Sequence, residues 1–175
     1  ISDYNFDAVR IDTVPEVPPW FWKEWMQEVG DTFQIGEVFN GRLDYCRDYY
    51  DILGSILSYP LYFTLRDVFA HQQSMNKLED MLKQYNSYFS DLSVLGTFID
   101  NHDNQRFLYV QKDVTLYQNA IVFTLLNLGI PIIYYGTEQE FAGGNDPANR
   151  EILWNNMNTE SLLYKYIASI IGFAK

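Results

Sequence analysis

The sequence predicts an α/β fold in which a parallel sheet is covered by helices. Two observations carry that expectation. Short extended runs alternate along the chain with longer stretches of helical periodicity. Three of the extended runs lead directly into an acidic residue, and in parallel α/β folds functional groups gather at the carboxyl ends of the strands. The 175 residues suffice for one domain with a sizeable core.

In chain order, Asp7 to Asp12 reads as a first strand. Pro18 and Pro19 suit a helix start. Phe21, Trp22, Trp25, Met26 and Val29 follow at helical spacing, and Gly30 is a stop signal. Thr32 to Val38 is a second strand and Ser55 to Tyr59 a third, ahead of Pro60. Leu61 to Ala70 reads as a helix with Leu65, Val68 and Phe69 on one face. Ser74 or Asn76 caps the next, whose apolar stripe is Leu78, Met81, Leu82 and Tyr85. Val94 to Asn101 is a fourth strand, Val114 to Leu128 a helix, Ile130 to Tyr135 a fifth strand, and Glu160 to Ala174 a final helix. Residues 38–54 and 136–158 read as loops. No repeat, linker or low-complexity segment interrupts the pattern.

Composition narrows the partners. The formal charge is −11, which repels nucleic-acid phosphates and anionic membrane surfaces, so neither is an expected partner; a neutral substrate meets no such objection. The run from Ala120 to Ile133 is broken by Thr124, Asn127, Gly129 and Pro131 and is no membrane span. Aromatic residues make up 17% of the chain, which fits either a Tyr/Phe-rich core or rings that stack on sugar faces. The single cysteine, Cys46, reads as a free thiol or as half of a disulfide to sequence outside this chain. No zinc-type Cys/His cluster is present.

The strand ends carry the chemistry. Asp12 ends the first strand, Glu37 the second, and Asp103 follows the fourth. Side chains alternate across a strand, so Arg10 and Asp12 share one face and Val9 and Ile11 the other. A charged pair on the inner face is costly without a purpose. Neighbouring parallel strands lie about 4.8 Å apart, which places the carboxyl groups of Asp12 and Glu37 roughly 5–6 Å apart. A separation of about 5–5.5 Å suits one acid attacking while the other donates a proton, whereas about 6.5–9.5 Å leaves room for a water between them. Arg10 should hold Asp12 ionised, as a nucleophile requires. Glu37, between Ile35-Gly36 and Val38-Phe39, reads as lying in an apolar setting that favours a protonated general acid.

These residues also carry a resemblance. Arg10-Ile11-Asp12-Thr13-Val14, Ile35-Gly36-Glu37-Val38 and Phe98-Ile99-Asp100-Asn101-His102-Asp103-Asn104 resemble the fourth, fifth and seventh barrel strands of the α-amylase clan of retaining glycoside hydrolases, and within it the secreted fungal-type α-amylases. Residues 129–136, Gly-Ile-Pro-Ile-Ile-Tyr-Tyr-Gly, resemble the eighth strand. Residues 143–151, Gly-Gly-Asn-Asp-Pro-Ala-Asn-Arg-Glu, resemble a loop that contacts glucose units on the non-reducing side and that favours α-amylases over the clan's α-1,6-glucosidases.

The resemblance implies strands four to eight of a (β/α)₈ barrel. A full barrel takes about 250 residues, so the first three strands and the inserted calcium-binding domain are expected outside this chain, which alone should be inactive. It implies Asp12 as nucleophile, Glu37 as acid/base and Asp103 as stabiliser of the distorted sugar, with Arg10, His102, Asp146 and Arg150 binding substrate. It also implies an α-1,4-glucan substrate, calcium as cofactor and an extracellular location. The fungal-type pattern has Lys-His where this chain has Pro15-Glu16; the Lys helps hold the leaving-group glucose units, and the His offers a backbone carbonyl to calcium that Glu16 retains. Asp100 stands where Glu is common and Gln105 where Pro is common, both expected to lie outside the chemistry. A related α-glucosidase or transglycosylase and a non-catalytic amylase-like binding subunit are the alternatives. Such binding subunits typically lose one or more of the acids, and all three are present here. Finally, five strands of an eight-stranded barrel leave unpaired sheet edges, through which the isolated chain is expected to self-associate.

Overall fold

The computed structural model describes residues 6–174. Strand β1 (Ala8–Ile11) pairs in parallel with β2 (Phe33–Gly36), and β3 (Gly96–Thr97) in parallel with β4 (Ile130–Pro131). Between the pairs, single parallel bridges link Gly36 to Ile56 and Leu57 to Gly96. Backbone hydrogen bonds run unbroken across this seam, from Glu37 N to Ile11 O, Leu57 N to Gly36 O, Gly96 N to Ile56 O and Ile130 N to Leu95 O. The result is one curved, all-parallel sheet of five extended segments, part of a (β/α)₈ barrel.

The expected strands are present in order but shorter than read. Ser55 to Tyr59 contributes only bridges, because Tyr59 and Pro60 already belong to the first turn of helix α3 (Tyr59–Leu65). Val94 to Asn101 and Ile130 to Tyr135 each keep two paired residues, with Ile132 N still donating to Thr97 O beyond the second. Two glycines set the packing on either side of the sheet. A Cβ on Gly96 would meet Ile35, Leu57 and Ile132 at 2.8–3.0 Å on the concave side, and one on Gly36 would meet Leu53 at 2.5 Å on the convex side.

The convex face carries helices α1 (Pro19–Val29), α2 (Leu43–Leu53), α3, a π-helical turn (Arg66–Ala70), α4 (Asn76–Tyr88), the short α5 (Phe107–Val110), α6 (Val114–Leu126) and α7 (Leu162–Ala174). Helix α2 corrects the expectation of a loop over residues 38–54. Leu43, Cys46, Tyr50 and Leu53 recur at helical spacing, are all buried, and end at Gly54, whose φ of 80° makes it a left-handed cap. Burying each of its leucines stabilises the fold by about 1.5–3 kcal/mol. Cys46 is a buried thiol whose Sγ faces the Asn40 carbonyl at 3.3 Å. Burial pushes it up to about 12, so a second cysteine could reach it only by opening the core. Helix α6 starts as a capped helix should, with Asp113 accepting from the Thr115 amide at 2.7 Å. Residues 136–158 form a long loop with one 3₁₀ turn at Thr137–Gln139, as expected. Among the described residues no helix is long and apolar enough to cross a membrane.

Candidate active site

The alternation of β1 places Ile11 in the core and Arg10 on the open, concave side. There the Arg10 guanidinium touches two carboxylates at once, Asp12 Oδ1 at 2.7 Å through Nη1 and Glu37 Oε1 at 3.2 Å through Nη2. A single planar fork bridging both acids fixes them in one pocket. The hydrogen bond from Arg10 is the main reason the Asp12 carboxyl lies below the ordinary carboxylate range, and the Glu37 side chain adds a smaller push in the same direction. Asp12 is therefore the carboxylate held as an anion.

Glu37 is buried, but not in the apolar setting expected for it. Its carboxylate receives three polar contacts: Arg10, the Tyr59 hydroxyl at 3.2 Å on Oε1, and the Thr13 amide at 3.2 Å on Oε2. The neighbours Ile35 and Val38 are apolar in sequence, yet alternation turns Glu37 away from Val38 and toward residues brought in from other strands. Thr13 has a φ of 46°, a left-handed conformation that a β-branched residue adopts only under constraint. Glu37 supplies that constraint, through its side chain to Thr13 N and its carbonyl to Val14 N at 3.1 Å.

The second half of the site comes from the segment after β3 and the long loop. His102 Nε2 lies 3.3 Å from Asp103 Oδ2, Arg150 Nη2 lies 3.7 Å from Asp103 Oδ1, and Arg150 Nε pairs with Asp146 at 2.6 Å. His102, Asp103, Asp146 and Arg150 thus form one cluster, with Arg150 shared between two acids. The clusters adjoin: His102 acts electrostatically on Asp12, and Asp103 on Tyr59.

The sequence reading missed the residues that align these halves. Arg106 is fully buried, donates from Nη1 to Tyr135 O at 2.7 Å and from Nε to Asn149 O and Glu151 at 3.1 Å, and lies 4.1 Å from the Tyr134 ring. Asn149 Nδ2 donates to the carbonyls of His102 at 2.8 Å and Asn104 at 2.9 Å, on either side of Asp103. These contacts fold the 136–151 loop onto the turn that presents Asp103. Tyr59 and Asn101 were likewise unassigned. Tyr59, Arg106 and Asn149 act across 22 or more residues of sequence, as does the Asn101 amide nitrogen, so no local spacing marks these contacts.

Cavities open on two sides of Glu37. One, of about 220 Å³, is lined by Arg10, Phe98, Asn101, His102 and Tyr134 as well as Glu37. The other, of about 340 Å³, is lined by Thr13, Pro15, Glu16, Phe39, Asn40 and Tyr45. The first is otherwise walled by Ile35, Leu57, Ile132 and Ile133 on the concave face of the sheet. Calcium finds less support. Among the described residues no group of three or more His, Cys, Asp or Glu side chains could hold a metal ion, at Glu16 or elsewhere.

Residues 6–172 match the family described as "Alpha amylase, catalytic domain". The chain belongs to the α-amylase family. It is 44% identical over 172 residues to "Alpha-amylase 1" of Lipomyces kononenkoae, covering 97% of this chain and 27% of that protein. It is 43% identical to the "Beta/alpha-amylase" of Paenibacillus polymyxa, covering 97% of this chain and 14% of the relative. The structure of an α-amylase from Malbranchea cinnamomea superposes with a TM-score of 0.91 at 37% identity, over 97% of this chain and 36% of that one. The chain thus spans well under half the length of the relatives named here.

Proposed function

We propose that the protein containing this chain is a retaining α-amylase that hydrolyses internal α-1,4 bonds of starch- or glycogen-type glucans, and that residues 1–175 are the C-terminal portion of its single catalytic domain, supplying barrel strands four to eight. The observation that carries the reading is the Arg10 fork shared by Asp12 and Glu37. Two carboxylates gathered on one guanidinium suit the retaining arrangement, in which one acid attacks while the other donates a proton.

The anionic role of Asp12 follows from its surroundings, and the acid/base role of Glu37 is what the resemblance to the family implies. Asp12, held ionised, attacks C1 of the glucose unit. The C1–oxygen bond breaks as Glu37 passes its proton to the departing oxygen, leaving a glycosyl ester on Asp12. A water then gives its proton to the Glu37 carboxylate and its oxygen to C1, and Asp12 is released. Each cycle consumes one glycosidic bond and one water. Asp103 and His102 border the same cavity as Glu37 or adjoin it, where they bind the distorted sugar, and Asp146 and Arg150 contact the next glucose unit. Cleavage within a polymer is what the resemblance to α-amylases implies. The same reading includes the family's calcium, held by residues outside this chain together with the Glu16 carbonyl, and an extracellular location. No step above is assigned to the metal.

Anomeric analysis tests it. The full-length enzyme acting on amylose should release a mixture of maltooligosaccharides whose new reducing ends are α-configured when first observed by proton NMR. Initial β-configured ends, or glucose as sole product, would overturn the proposal.

The isolated 175-residue chain should be inactive and self-associated. Among the described residues β1 and β4 each pair on one side only, so each leaves an open edge. Size-exclusion chromatography with light scattering should show oligomers or aggregates. A monodisperse monomer that melts cooperatively would sink that expectation.

A further inference from the structure

A hydrogen-bonded relay links the two halves of the site. The Tyr59 hydroxyl donates to Glu37 Oε1 at 3.2 Å and accepts from Asn101 Nδ2 at 2.9 Å. The other end of the Asn101 amide, Oδ1, accepts from the amides of Asp103 at 3.1 Å and Asn104 at 3.0 Å and from Asn104 Nδ2 at 2.9 Å. Those three donors fix which way the amide points, and so fix the direction of the whole chain of bonds.

We propose that Tyr59 is the positioning residue for Glu37, its hydroxyl orienting the carboxyl toward the bond to be cleaved and tying it to the turn that carries Asp103. The inference deepens the retaining-hydrolase reading and rests on it.

Several features make Tyr59 suited to this task. It is fully buried at the first turn of α3, between β2 and β3. Its ring is wedged edge-on against Phe39 at 4.6 Å and Phe98 at 5.1 Å, so the hydroxyl has little freedom to move. Burial, reinforced by the charge of Glu37, holds that hydroxyl far above its ordinary range, which keeps it a proton donor. Arg10 already bridges Glu37 and Asp12 from one side, but a planar fork leaves rotation of the Glu37 carboxyl about its own axis loosely set. The Thr13 amide on Oε2 and Tyr59 on Oε1 remove that freedom. Proton transfer demands such alignment, because a misplacement of about 1 Å can cost 10²-fold in rate.

A positioning role separates from a structural one by leaving group. Departure of a sugar needs the proton from Glu37, whereas departure of fluoride needs little help. The experiment is kcat/KM of the full-length enzyme and of Tyr59→Phe on amylose and on α-maltosyl fluoride, with Glu37→Gln as reference. The Phe ring keeps the aromatic packing, and the ratio of the two substrates on one preparation is independent of the fraction folded. Since proton-transfer catalysis is worth about 10²–10⁴-fold, disturbing its geometry in Tyr59→Phe should lower kcat/KM on amylose about tenfold and on the fluoride by less than about threefold. If Glu37→Gln discriminates between the substrates while Tyr59→Phe lowers both equally or neither, the relay is overturned and the hydrolase reading stands. If Glu37→Gln does not discriminate, both fall.

Discussion

Glu37→Gln in the full-length enzyme is expected to lower kcat on amylose by about 10³-fold or more, the upper part of the range for removing a general acid. The substitution keeps the length of the side chain and one carbonyl oxygen, so a hydrogen bond from Tyr59 or Arg10 survives. What it removes is the transferable proton, and with it both the assistance to the leaving oxygen and the base that activates water. A cost in binding accompanies it. The Gln amide nitrogen must face one of the donors that now surround Glu37, either the Arg10 fork and Tyr59 on one side or the Thr13 amide on the other. KM is therefore expected to change less than kcat, because the loss falls on a step made only in the transition state. A decrease below about threefold would end the assignment of Glu37 as acid/base.

How much of this was legible follows from the length scale of each interaction. Asp12 and Glu37 were readable because a strand's period of two and its carboxyl end place a residue without knowledge of the rest of the fold. The charge of Asp12 was readable for a similar reason: its main partner, Arg10, is two residues away. The surroundings of Glu37 were not, since two of its partners, Thr13 and Tyr59, lie 24 and 22 residues away, and the flanking Ile35 and Val38 suggested an apolar pocket. Helix α2 was hidden by composition. Its buried face is built of Cys46, Tyr49 and Tyr50 as much as of leucine, so the stripe is carried by residues that read as polar or aromatic although its helical period is as strong as that of α4. Arg106 and Asn149 were invisible because each satisfies backbone carbonyls of a distant loop, which no side-chain spacing encodes.

Asp100 was expected to lie outside the chemistry, and its effect should instead appear as stability. Its carboxylate is buried between Arg66 at 3.2 Å, the Phe107 amide at 2.7 Å and the Tyr117 hydroxyl at 2.5 Å. Arg66, on the π-helical turn, is itself nearly buried, near the rings of Tyr62 and Phe107. Asp100→Ala strands that guanidinium without a counter-charge, a change that typically costs about 3–5 kcal/mol, to be read from denaturant unfolding of the full-length protein. A loss under about 1 kcal/mol would show that water replaces the carboxylate and that the pair contributes little. The pH dependence has a defined sign. Burial pushes the Asp100 carboxyl up to about 6, against the opposing pull of Arg66 and the two hydrogen bonds. The folded protein therefore holds this proton more tightly than the unfolded chain, whose carboxyl titrates at about 3.9. The stability it contributes is complete below about pH 4 and is lost as pH rises through about 6. Asp100→Asn, which mimics the protonated form and keeps an acceptor for Arg66 and Phe107, removes that slope. Relative to wild type, both variants should gain stability as pH rises from about 4 to 7, since neither titrates there, with Asp100→Ala less stable than Asp100→Asn throughout. A difference between Asn and Asp that is flat over that interval would mean that ionisation of Asp100 is not resisted by its burial, and that the ion pair with Arg66 dominates the site.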